Sequence, residues 1–170
     1  VFVRVIIEIM IAAPGHLNSL LPPLIAMMFW FGLVAAIMHR ISEKQGQHRS
    51  QEQPPSELKS AVIFGLLYAV VLLLVAAARE HFGDSGLYIV AAISGLTDMD
   101  AITISTAQLV STANLDTGTA WRMILLAGLA NGVFKIGLVL TLGARAFIKP
   151  TLIGLISALA GGALILALWP

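Results

Sequence analysis

The apolar residues of this chain are grouped into stretches about as long as a membrane-crossing helix, with short polar or Pro/Gly-containing segments between them. A helix needs roughly 17 to 25 mostly apolar residues to cross a bilayer, so the spacing predicts an all-α, polytopic transmembrane helix bundle with about six spans. The predicted elements are a truncated span at residues 1–13, full spans at 20–38, 58–78, 121–143 and 151–168, and one interrupted span with halves at 87–96 and 101–113.

A long hydrophilic segment at residues 39–57 divides the chain. Its Gln, Ser and Pro residues cannot bury enough apolar surface to order the segment, which predicts a polar linker loop. The linker separates a truncated N-terminal helix pair, residues 1–38, from a helix bundle at 58–170 that contains the interrupted span. Because the chain starts at Val1 inside an apolar run without signal-peptide features, we expect it to be a fragment of a longer protein.

Composition narrows the class of protein. With 58% hydrophobic and 11% charged residues, the chain lies outside the range of water-soluble domains. The net charge of +1 provides no field to attract nucleic acid, so no nucleic-acid partner is expected. Cysteine is absent, which excludes disulfides, thiolate nucleophiles and Cys-ligated metals. The sequence therefore predicts a non-enzymatic protein of the lipid bilayer that uses no cofactor other than Na⁺, Mg²⁺ or a proton.

A short internal similarity suggests a repeat. Residues 1–4 (VFVR) resemble residues 133–136 (VFKI), and residues 22–26 (PPLIA) resemble residues 150–154 (PTLIG). Duplicated helix sets are common in transporters. Together with the many small residues, which favour helix association, this predicts a homo-oligomer or a partner supplied by a missing N-terminal half of the same protein.

Five charged residues fall at membrane depth in the predicted spans. An ionised side chain at mid-membrane costs about 2.5 to 3.5 kcal/mol, so each needs a partner or a function. Arg4 and Glu8 are four residues apart and are expected to bridge each other. Lys135 is the expected counter-charge to Asp98 and Asp100.

The interrupted span is expected to break between Gly95 and Asp100. In an unbroken helix, residues 98 and 100 would lie about 200° apart and could not face one ligand. Gly95 is suited to end the first half in a left-handed conformation, and Thr97 or Asp98 is suited to cap the second half. Broken helices at membrane depth commonly line substrate or ion sites.

Carboxylates, hydroxyls and freed carbonyls around this break are hard ligands for Na⁺, Mg²⁺ or Ca²⁺, and a buried carboxyl can instead carry a proton. Asp98 and Asp100 are the candidate metal ligands. The predicted ion-binding set is Thr97, Asp98, Asp100, Thr103 and Ser105, faced by Asn131 and Lys135.

The function predicted is transport through a mid-membrane acidic cation or proton site. The alternative is a non-transporting regulatory or partner-binding membrane protein whose Asp and Lys residues are structural.

A family resemblance rests on the residues around the break. The run SGLTDMDAITIS at 94–105, preceded by EHFGDSGLY at 80–88, resembles the C-terminal integral-membrane domain, of unknown function, of MgtC/SapB-associated bacterial proteins. Residues 3–8 (VRVIIE) and 127–131 (AGLAN) are also similar to that domain. The resemblance implies a multi-pass protein of the bacterial inner (cytoplasmic) membrane, associated with magnesium homeostasis, and it implies that this chain lacks the N-terminal part of the domain.

Overall fold

A computed structural model describes residues 1–44, 62, 86–143 and 145–169 of the chain. The predicted span at residues 58–78, apart from Val62, and residues 45–57 of the predicted linker lie outside the described residues. The internal repeat stays a prediction.

The described part of the chain is helical and contains no strand, which confirms the all-α prediction. Three helical segments are long and apolar enough, by length and composition, to cross a bilayer: Pro14–Ile41, Thr117–Leu142 and Ile148–Leu168. The elements are α1 (Phe2–Ala12), a 3-10 turn (Pro14–His16), α2 (Leu17–Lys44), α3 (Leu87–Thr97), α4 (Met99–Ser111), α5 (Thr117–Leu142) and α6 (Arg145–Leu168).

Two predicted boundaries are wrong because prolines lie inside helices. The span predicted at residues 20–38 would place Pro22 and Pro23 in its first turn, but α2 already begins at Leu17. Pro150 was expected in a loop between spans, but α6 begins at Arg145 and runs through it. Neighbouring helices can re-satisfy the backbone groups that a proline frees in a membrane helix. The helix α2 also continues through Lys44, into the segment predicted to be a linker.

The long helix α5 packs against four other helices, and α1 lies against α2 and α4. A cluster of fully buried side chains joins α1, α2 and α5: Val5, Ile9, Leu20, Leu24, Met27, Ile124 and Leu125. Burial of Val5 and Ile9 fixes which side of α1 is turned inward, because residues four apart lie on one face of a helix. This packing places the first turns of α1 beside the start of α4.

The helices α2 and α6 approach closely at small residues of α6. Gly154 lies against Met38, and Gly161 lies directly under the indole ring of Trp30. The indole Nε1–H of Trp30 donates to the backbone oxygen of Ser157 over 3.2 Å. Small residues allow such close approach in membrane-helix pairs, where packing and interhelical hydrogen bonds replace the hydrophobic effect.

Candidate functional site

The interrupted helix breaks at Asp98. The helix α3 ends at Thr97, Asp98 is extended (φ −141°, ψ 103°), and α4 begins at Met99. The carboxylate Oδ1 of Asp98 accepts hydrogen bonds from the backbone N–H groups of Asp100 (2.9 Å) and Ala101 (3.3 Å). Asp98 is therefore the N-cap of α4; the sequence had predicted either Thr97 or Asp98 in this role.

Gly95 does not end the first half-helix, so its predicted role is wrong. It lies inside α3, and its backbone conformation is not left-handed. A Cβ atom at this position would lie 2.5 Å from the Cα of Ala127 on α5. The absence of a side chain is therefore needed for the contact between α3 and α5, and the carboxylate of Asp98 terminates α3 by capping the next helix.

The charged groups near the break form an acidic centre, which we define as Arg4 and Glu8 of α1 with Asp98 and Asp100. The guanidinium of Arg4 lies 2.5 Å from Oδ2 of Asp100, and its Nε lies 3.7 Å from Oε1 of Glu8. Glu8 is close enough to both aspartates to interact with them electrostatically. Arg4 is thus bound to a second helix as well as to Glu8, whereas the sequence predicted only the pair within α1.

Lys135 is not the counter-charge of the aspartates, so this prediction is wrong. Its side chain is exposed on α5, and it forms no ion pair with any described residue. The cation beside Asp100 is Arg4, because α1 packs against α4 at this level. The sequence did hint at this contact, because Arg4 and Glu8 are charged residues inside an apolar span. Their spacing of four residues, however, suggested that they pair only with each other.

Each carboxyl group that faces Arg4 keeps one oxygen without a partner. Within the described residues, Oε2 of Glu8 and Oδ1 of Asp100 are buried and accept no hydrogen bond. Side-chain exposure is 13% for Glu8 and 27% for Asp100. Buried carboxylate oxygens are normally satisfied, so these two atoms mark where a further positive charge or a proton is favourable.

The predicted hydroxyl ligands donate hydrogen bonds within their own helices. The hydroxyl of Thr97 donates to the backbone oxygen of Ser94, that of Thr103 to Met99 and that of Ser105 to Ala101. Thr103 is buried and Ser105 is exposed. Hydroxyls in helices commonly bond back to the preceding turn in this way. Thr97, Thr103 and Ser105 therefore stay predicted ligands, and the acidic centre as defined above contains the two predicted aspartates.

Asn131 contacts the broken helix, and its role in ion binding stays a prediction. Its side-chain amide donates to the backbone oxygen of Gly95 over 3.2 Å, which links α5 to the last turn of α3. Gly128, one turn earlier on α5, lies against the side chain of Met99 at the start of α4. Asn131 thus satisfies one of the carbonyl groups that a helix end leaves without an intrahelical donor.

Asp98 and Asp100 stay predicted metal ligands. Within the described residues, no three His, Cys, Asp or Glu side chains are grouped so as to hold a metal ion. One oxygen of Asp98 caps α4 and one oxygen of Asp100 pairs with Arg4, so a cation bound here would have to share them or displace Arg4.

A second aspartate cap lies outside the membrane-spanning segments and gives a prediction of pH dependence. Asp116 caps α5 by accepting from the backbone N–H of Thr119 over 2.8 Å. Hydrogen bonds from the side chain and the backbone of Thr119 lower the pKa of Asp116. A lowered pKa means that the ionised cap stabilises the fold at neutral pH, and this contribution is lost as the pH falls through the lowered value.

We expect an Asp116→Asn variant to keep most of the cap at neutral pH but to lose this titration, because asparagine is also a good N-cap. The measurement is thermal unfolding in detergent over the acidic range, with the difference between wild type and variant isolating Asp116. Identical acid sensitivity of the two proteins would contradict the assignment.

The fold and the break define an all-α membrane protein with a discontinuous helix. Residues 1–143 match the model of a family described as "Domain of unknown function (DUF4010)", and the chain belongs to this family. It is 31% identical over 147 residues to an uncharacterized protein of Aquifex aeolicus (strain VF5), with 85% of this chain and 64% of that protein covered. No solved structure matches the chain. Neither finding links it to MgtC/SapB proteins, and that part of the resemblance stays a prediction.

Proposed function

We propose that this chain is part of a membrane transport protein and that the acidic centre binds the transported or coupling ion, a cation or a proton. The observation that carries the proposal is the break at Asp98, which brings Asp98 and Asp100 together beside Arg4 of another helix. Irregular backbone is tolerated at membrane depth where it lines a cavity or is buried in protein, and transporters use it for ion sites.

The balance of charge supports a positively charged ligand. The centre holds the carboxyl groups of Glu8, Asp98 and Asp100 against the guanidinium of Arg4. If all are ionised, negative charge is in excess, which is unfavourable in a medium of low dielectric constant. A bound cation, or a proton on one carboxyl group, reduces that excess. The two buried oxygens without partners, on Glu8 and Asp100, are the atoms that such a ligand would satisfy.

The biological setting is part of the same proposal. We place the protein in the bacterial inner membrane as a multi-pass protein, in association with MgtC/SapB-type proteins and magnesium homeostasis, with Na⁺, Mg²⁺ or the proton as candidate ions. Its partners would be the lipid bilayer and either further copies of itself or another part of the same protein. We propose no enzymatic activity, because Asp98 and Asp100 lie two residues apart in one segment, whereas an aspartyl protease brings together two aspartates from different helices.

A regulatory or partner-binding role is the second candidate, and it is favoured by the structural hydrogen bonds that several of the predicted site residues make. Asp98 is used as a helix cap, and the hydroxyls of Thr97, Thr103 and Ser105 bond to their own helices. In this case the ion pair between Arg4 and Asp100 serves to dock α1 on α4.

Ion flux into liposomes containing the full-length protein separates these candidates. We expect an Asp100→Asn variant to lose at least about tenfold of any Na⁺, Mg²⁺ or proton flux, because the ligand loses a full negative charge at low dielectric constant. Asp116→Asn is the matched control, since it neutralises a cap outside the centre. If the wild type and the Asp100→Asn variant transport the ion at equal rates, the transport proposal is wrong. If the wild type shows no flux and the Asp100→Asn variant is only less stable than the wild type, the regulatory role is favoured.

A further inference from the structure

The guanidinium of Arg4 lies on the exposed side of the two carboxyl groups that it contacts, those of Glu8 and Asp100. The Arg4 side chain is 63% exposed, whereas those of Glu8 and Asp100 are 13% and 27% exposed. Arg4 is therefore the more exposed partner of both ion pairs, and the side chains of Glu8 and Asp100 are more buried than it is, whereas Asp98 is exposed. An ion that approached Glu8 and Asp100 from this side would first meet Arg4.

Arg4 and an incoming cation would compete for the same carboxyl groups. The guanidinium engages Oδ2 of Asp100 and lies near Oε1 of Glu8, so one oxygen of each group is already in contact with positive charge. Two cations at hydrogen-bonding distance from one carboxylate repel each other strongly at low dielectric constant. Binding of a second cation to the Asp100 carboxyl group therefore requires Arg4 to move away from Asp100.

The position of Glu8 makes such a movement inexpensive. Arg4 and Glu8 are four residues apart on α1, so their side chains stay neighbours whether or not Asp100 is engaged. An arginine released from Asp100 can keep Glu8 as its partner and extend its exposed end outward. The release leaves no isolated charge on α1, and it frees both oxygens of Asp100 for the ligand.

We propose that Arg4 is a tethered counter-ion: an autoinhibitory contact that closes the acidic centre through Asp100 and is displaced when a cation binds. This inference rests on the proposed function, because it assumes that the centre binds a positively charged ligand. It assigns to Arg4 a role in setting affinity, beyond the docking of α1 on α4.

The test is a thermal-shift titration of the full-length protein in detergent with NaCl and MgCl₂, using choline chloride at matched ionic strength as the blank. A ligand of the native state raises apparent stability in proportion to RT ln(1 + [L]/Kd), so the titration reports the apparent Kd. We expect Arg4→Gln to bind the responding cation at least about tenfold more tightly than the wild type, because the competing charge is gone. Arg4→Lys should fall between them, since lysine cannot form the planar, forked contact of arginine.

Arg122→Gln is the matched control, because Arg122 lies on α5 over the ring of Trp121, outside the acidic centre. Its apparent Kd should equal that of the wild type. Equal or weaker cation binding by folded Arg4→Gln, while the wild type binds, overturns the tethered counter-ion and leaves the proposed function standing. If Arg4→Gln does not fold, the same comparison with Arg4→Lys decides. If neither Na⁺ nor Mg²⁺ shifts any of these proteins, the counter-ion proposal is also wrong, and the proposed function then depends on proton flux alone.

Discussion

A Gly95→Ala variant is expected to lose at least about 3 kcal/mol of unfolding free energy, at the upper end of what overpacking costs. The added methyl group would meet the backbone of Ala127 on α5, 2.5 Å from its Cα atom. Backbone cannot turn aside as a side chain can, so α3 and α5 must separate. Separation would also break the hydrogen bond from Asn131 to the Gly95 carbonyl, and it would displace the break that holds Asp98 and Asp100. Unfolding in detergent, followed by near-UV circular dichroism, measures the loss.

Gly137→Ala is the matched control for this prediction. Gly137 lies on α5, and a Cβ atom there would have no neighbour within 4 Å. The same substitution should therefore be neutral or should stabilise the protein by up to about 1 kcal/mol, the helix propensity difference between glycine and alanine. If the two variants unfold at the same denaturant concentration, α3 and α5 do not meet at Gly95.

A Gly161→Ala variant is expected to lose about 2 kcal/mol by disturbing the contact between α2 and α6. The new methyl group would overlap the indole ring of Trp30, so the ring must rotate away. The rotation sacrifices the hydrogen bond from the indole Nε1–H to the Ser157 carbonyl. The cost is smaller than at Gly95 because a side chain that is 37% exposed can move, whereas a helix backbone cannot.

Two further variants make this second prediction specific. Gly32→Ala on α2 places a methyl group where nothing lies within 4 Å, so it should leave stability unchanged or slightly raised. In a Trp30→Phe background, the cost of Gly161→Ala should shrink, because the clash and the lost hydrogen bond both involve the indole ring. Strictly additive effects of Trp30→Phe and Gly161→Ala would show that the two positions do not touch.

The amino-acid sequence alone was sufficient to predict the class of protein and the positions of most of the helices. The apolar stretches predicted α1, α2, the two halves α3 and α4, α5 and α6, because only backbone-satisfied helices suit so apolar a chain. The boundaries near Pro22 and Pro150 were missed, since proline usually marks a helix start, whereas these prolines lie inside helices that begin several residues earlier. The cap of α4 was predictable because capping is a local interaction: Asp98 bonds to residues two and three positions later.

The acidic centre itself depended on tertiary structure. Arg4 and Asp100 are far apart in the chain, and both Arg4 and Lys135 were available as partners for the aspartates. Which cation is adjacent was decided by the burial of Val5 and Ile9, since this turns one face of α1 into the bundle and sets Arg4 beside the start of α4. The role of Gly95 also depends on tertiary structure. Its sequence neighbours suggest a helix end, but the close approach of α5 makes Gly95 a packing position. Local hydrogen bonds follow from residue order, whereas contacts between helices follow from how all the apolar faces are buried at once.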